Sequence, residues 1–179
     1  MKFRNTEISG LVVVTPEPQR DERGFFARTR DKVAFEAHGL TSTFVQSSVS
    51  LSRRMWTLRG LHWQDSPYEE TKLVTCLRGA VWDVVVDLRK GSTTRGRWVS
   101  CELSEHEMQT LHVPAGCAHG FITLREGVLM QYEISREFSP EHQKGLRWND
   151  PSLRIAWPHE PTVVSARDAA FPDYKVEHT

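Results

Sequence analysis

Short apolar and β-branched runs follow one another along most of the chain, each closed by glycine, proline or small polar residues. Where they alternate with polar residues the period is two, the repeat of a strand with one buried face. The pattern predicts strands over residues 10–15, 24–30, 43–50, 57–64, 71–77, 80–87, 97–103, 108–113, 120–124 and 128–135. Arg78-Gly79, between two such runs, reads as a hairpin turn, and 89–96 and 124–127 read as further turn clusters. One stretch, "RDKVAFEAHGL", has the spacing of a helix and is closed by Gly39. Many short strands without interleaved helices predict an all-β antiparallel sandwich or barrel with one or two short helices. From Pro151 onward the prolines predict irregular coil or short turns, yet Trp157, Val163 and Val164 should hold this tail against the barrel.

Composition changes this picture little. A length of 179 residues suits one domain over 1–179 with a sizeable core. Lys+Arg and Asp+Glu balance at 23 each, so neither nucleic acid nor an acidic membrane surface is expected as a partner. The opening "MKFRNTEISGLVVV" has too short an apolar run for a signal peptide or a membrane span. Cys76, Cys101 and Cys117 are odd in number and unclustered, as expected of free thiols in a reducing cytoplasm.

Two segments bring polar chemistry into apolar surroundings. In "TLRGLHWQ" a regular strand would put His62 and Gly60 on one face and Arg59 on the other. Glycine inside a strand often marks a bulge, and a bulge here would turn Arg59 and His62 toward one cavity. In "HVPAGCAHGF" Pro114 and Gly116 form a turn that delivers His119. This P-x-G-x-x-H pattern resembles the second half of the cupin signature. The place of the first half reads His62-Trp63-Gln64, with Glu69 and Glu70 nearby, so one imidazole of a metal site is missing. Two histidines without a metal point to acid–base chemistry.

Longer motifs carry a closer resemblance. "DERGFFAR", "QSSVSLSRRMWTLRGLHWQ", "TKLVTCLRGAVWDVVVDLRKGS", "VPAGCAHGF", "GLRWNDP", "IAWP" and "SARD" occur in order over nearly the whole chain. Together they resemble the dTDP-4-dehydrorhamnose 3,5-epimerase family. The resemblance implies a double-stranded β-helix (a cupin jelly roll), a homodimer, and action on a nucleotide-linked 4-keto-6-deoxyhexose without metal or redox cofactor. It implies that His62 is the base, Asp168 orients its imidazole, Tyr132 is the general acid and Lys72 lies near O4 of the sugar. Arg23 and Arg59 match residues that hold diphosphate and sugar, Gln46 and His119 match pocket positions, and Phe138 stands where a ring stacks on the nucleobase.

The departures fall around that set. Arg28, Ser48, Gln143 and Arg167 replace an acid, an asparagine, a glutamate and a lysine of the family pattern, and Trp56 stands where glycine is usual. Inversion at C3 and C5 of dTDP-4-dehydro-6-deoxyglucose is the first expectation. Inversion of a single carbon, or a CDP- or GDP-linked sugar, is the alternative. A metal-dependent cupin or a non-catalytic sugar-binding cupin ranks below both.

Overall fold

A computed structural model describes residues 1–174, which carry thirteen strands and two short helices. One sheet runs in the order β1 (Lys2–Asn5), β2 (Val12–Thr15), β10 (Thr110–Val113), β7 (Lys72–Arg78), β12 (Val128–Ile134), β5 (Gln46–Ser52). The other runs β13 (Gln143–Gly145), β6 (Leu58–Gln64), β11 (Cys117–Thr123), β8 (Ala80–Asp87), β9 (Trp98–Ser104). A separate hairpin joins β3 (Gln19–Asp21) to β4 (Gly24–Phe26). All ladders in the two sheets are antiparallel and chain neighbours are often in different sheets, the topology of a jelly roll.

The core lies between the sheets. Val13, Val74, Leu111 and Met130 from the six-stranded sheet meet Val81, Val85, Leu103 and Phe121 from the five-stranded one. Both outer faces are covered in part. Phe35 and Leu40, on and just after α1 (Lys32–Ala37), pack over Val12, Val14 and Leu73. On the opposite side Leu146, Leu153 and Trp157 cover Leu61, Val84 and Val86. Strand β8 is thus buried on both faces, which explains why its run of valines does not alternate.

The irregular tail is pinned as its apolar residues predict. Trp98 Nε1 donates to Leu153 O at 3.0 Å, and Leu58 N–H donates to Val163 O at 2.9 Å. Within it the chain makes one helical turn, α2 (Ala166–Ala169). Two expectations need correction. Arg78-Gly79 is no hairpin turn, because β7 and β8 belong to different sheets; Gly79, at φ +82°, turns the corner between them. The strand predicted over 24–30 ends at Phe26, since Asp31 caps α1 and the intervening segment leads into that helix.

Candidate active site

Strand β6 carries an extra residue. His62 lies opposite His119, but Arg59 lies opposite Phe121, so three steps on β6 match two on β11. That is the bulge its glycine suggested. Gly60 has φ +125°, and a Cβ there would sit 2.5 Å from Gly120 Cα and 2.9 Å from His119 O. No other residue fits. The bulge reverses the alternation, and Arg59 and His62 both line one cavity of about 570 Å3.

The tail supplies the partner of His62. Ser165 caps α2, its Oγ accepting the Asp168 N–H at 3.0 Å. The capped turn sets Asp168 Oδ1 2.8 Å from His62 Nε2, while Oδ2 accepts the Gly60 N–H at 3.2 Å. Burial pushes this carboxyl up, but the hydrogen bonds from the His62 ring, the Gly60 N–H and the Ser165 hydroxyl, with the His62 charge, outweigh it and hold it below its ordinary value. A carboxylate at Nε2 fixes the proton there in the neutral imidazole and leaves Nδ1 with a lone pair.

The facing sheet contributes Tyr132, whose hydroxyl lies 3.0 Å from Ser50 Oγ. Burial pushes the phenol up to about 12, so it keeps its proton at any ordinary pH. The Lys72 ammonium is 2.9 Å from Glu70 Oε1 and donates to His62 O at 3.0 Å. His119 has a carboxylate of its own, with Nε2 2.8 Å from Oδ2 of fully buried Asp83. Burial raises the Asp83 carboxyl, and the His119 contact only partly opposes this. Arg59 is braced by Ser52 Oγ at 3.1 Å and Leu51 O at 3.1 Å. Among the described residues no three His, Cys, Asp or Glu side chains are gathered as metal ligands.

The remaining candidates fall into two groups. Phe138, Gln143 and Arg167 also line the cavity, Phe138 half-exposed and Arg167 Nη2 donating to Gln143 Oε1 at 2.6 Å. Gln46 does not line it; its Oε1 accepts the Phe138 N–H at 2.9 Å and so fixes that ring's backbone. Ser48 is exposed on β5, opposite Tyr132 in register. Arg23 and Arg28 stay outside the cavity, Arg23 paired with Asp21 and Arg28 with Asp31. Ser50, Glu70, Asp83 and Ser165 emerge as cavity or support residues that were not singled out for these parts. Asp83 had a signal, an acid inside "VWDVVV", and Ser165 another, since "SARD" has the spacing of a helix cap.

Comparison with known proteins places the chain in a family. The family model described as dTDP-4-dehydrorhamnose 3,5-epimerase matches residues 5–175. The chain belongs to that family. The Sinorhizobium fredii dTDP-4-dehydrorhamnose 3,5-epimerase is 41% identical over 173 residues, spanning 96% of this chain and 89% of its own. The crystal structure of the Bacillus anthracis dTDP-4-dehydrorhamnose 3,5-epimerase, with TDP and PPi bound, superposes with a TM-score of 0.93 at 38% identity. It covers 97% of this chain and 99% of its own. The Legionella pneumophila dTDP-6-deoxy-D-glucose-3,5-epimerase, in complex with dTDP-4-keto-L-rhamnose, gives 0.90 at 38% identity, covering 96% and 92%. The sequence pattern led to the expectation of glycine at the place of Trp56, and the backbone there is of the kind glycine favours. Trp56 has φ +59°, a left-handed conformation, and its indole stacks on His159 with ring centroids 4.4 Å apart.

Proposed function

We propose that this protein epimerises dTDP-4-dehydro-6-deoxyglucose at C3 and C5, yielding dTDP-4-dehydrorhamnose. The observation that carries the proposal is one cavity with a carboxylate-paired imidazole on one sheet and a protonated phenol on the other. A C4 ketone acidifies the hydrogens on both C3 and C5, so one base beside the ring serves both carbons. His62 Nδ1 takes the proton, and the electron pair moves onto O4 as an enolate. The Lys72 ammonium stabilises that charge. Tyr132 returns a proton to the opposite face, which inverts the carbon. Arg59 suits the diphosphate, and Phe138 offers a ring to the base.

Incubation with the keto sugar nucleotide in deuterated water tests this directly. NMR should show deuterium entering at C3 and C5 with inversion of both. No exchange at either carbon would reject the proposal, and exchange at one alone would make this a single-carbon epimerase.

We read the protein further as a homodimer. Phe25 and Phe26 on the β3–β4 hairpin, with Val49 and Leu51 on edge strand β5, are exposed apolar side chains that a second copy would cover. The same hairpin carries Arg23, and Arg28 follows it, so a second copy is also the route by which these charges reach a cavity. Three unpaired cysteines fit a cytoplasmic location.

A further inference from the structure

Glu70 lines the cavity, and the mechanism above gives it no part. It precedes β7 and is buried, at 6% exposure, beside Lys72, at 9%. Its two oxygens do different things. Oε1 accepts from Lys72 Nζ at 2.9 Å, and Oε2 accepts the Gln64 N–H at 2.9 Å. Gln64 in turn donates from Nε2 to Glu137 O at 3.2 Å and accepts the Ser139 N–H at 2.6 Å. The brace therefore runs from β6 through Glu70 to Lys72, and through Gln64 to the segment holding Phe138.

An ammonium has three N–H donors and no acceptor. Glu70 and His62 O engage two of them, leaving the third for a ligand in the cavity. The lysine stem is a flexible four-carbon chain, and its charge is costly to bury without a counter-charge. We propose that Glu70 is a positioning residue that fixes the Lys72 ammonium, aiming its remaining N–H at the oxygen that becomes the enolate. The inference rests on the proposed function, in which Lys72 stabilises O4.

Glu70→Gln is the informative change. The amide keeps the shape but offers one acceptor oxygen for two donors, so either Lys72 or the Gln64 N–H meets amide hydrogens instead. Wild type, Glu70→Gln, Lys72→Met and the double variant are compared by steady-state kinetics, deuterium exchange at C3 and C5, and dTDP binding. Glu70→Gln should lower kcat at least about tenfold, with KM changed by less than about threefold. Exchange at both carbons should slow together, and dTDP affinity should hold. The double variant should be no slower than Lys72→Met, because Glu70 acts through Lys72. A merely structural role would lower melting temperature and dTDP binding and leave kcat of the folded protein alone. If the wild type exchanges while Glu70→Gln keeps kcat within about twofold, or if the two losses multiply, the inference falls and the proposed function stands. A wild type without exchange overturns both. Should Glu70→Gln be insoluble, Glu70→Asp, which withdraws the carboxylate by one methylene, decides by the same criteria.

Discussion

His62 and His119 face each other across the β6–β11 ladder, and each gives Nε2 to a carboxylate. The two acids differ in environment. Asp168 is held below its ordinary value by hydrogen bonds and stays ionised, as the partner of a base must; Asp83, with no exposure at all, is pushed up. That difference supports His62 as the group that cycles a proton. In the proposed function Tyr132 carries the inversion step, and Tyr132→Phe would separate it from exchange. The variant loses the hydroxyl and its contact to Ser50 but keeps the ring, so the fold should persist. Inversion should fall about a hundredfold or more, while deuterium still enters at C3 and C5 because His62 can return a proton to the face it left. NMR of both in one sample is the check, and equal inversion rates would assign the acid elsewhere. The pH dependence follows from the same burial. With the folded value raised from 10.0 to about 12, Tyr132 contributes stability that is complete below pH 10 and lost as pH rises toward 12. Alkaline melting of Tyr132→Phe should lack that part of the decline.

At the scale of elements, the turn after β8 depends on one buried carboxylate. Asp87 accepts from Arg89 N, Nε and Nη2, from Ser92 Oγ at 2.6 Å and from Thr94 Oγ1 at 2.7 Å. Burial alone would raise it, but these donors hold it far below the usual carboxylate range. Asp87→Asn should cost about 1–3 kcal/mol, since it takes the charge and one acceptor oxygen from these donors while Arg89, partly exposed, keeps its bond to Ser9 O. Thermal melts at pH 7 should show the loss with turnover of the folded enzyme unchanged. The folded value is depressed, so the stability is present above the unfolded value near 3.8 and lost as pH falls below it. The gap between wild type and variant should therefore narrow below about pH 4. Strands of this kind were legible where burial has a clear period or a continuous run, as in β6, β7, β8 and β12. Strands β1, β3 and β13 were not, because two are only three residues long and β1 and β3 are largely exposed. The turn at Arg78-Gly79 looked like a hairpin because sequence shows that the chain reverses, not which sheet it enters.

At the scale of the molecule, the reactive groups line one cavity while part of the expected binding set lies outside it. His62, Lys72, Tyr132 and Asp168 converge through two strands of one sheet, one of the other and the tail, and only the resemblance gave that convergence in advance; β-strand spacing could not bring residue 168 to residue 62. Arg59 was open between two faces until the bulge decided it. Of the expected residues outside the cavity, which include Gln46 and Ser48, Arg23 and Arg28 sit on or beside a hairpin with two exposed phenylalanines. If a second copy receives that hairpin, two inactive variants can repair each other. His62→Asn removes the base, and Arg23→Ala removes a phosphate-binding charge from the neighbouring cavity. In a mixed dimer one cavity would then carry both lesions and the other neither. With different tags on the two chains, mixed dimers can be purified and assayed against each parent. They should recover about half of the wild-type rate, one intact cavity of two in a twofold assembly. Mixed dimers as inactive as their parents would place Arg23 with its own chain's cavity or with none. A wild type that sediments as a monomer would remove the premise, and the exposed Phe25, Phe26, Val49 and Leu51 would then need another partner.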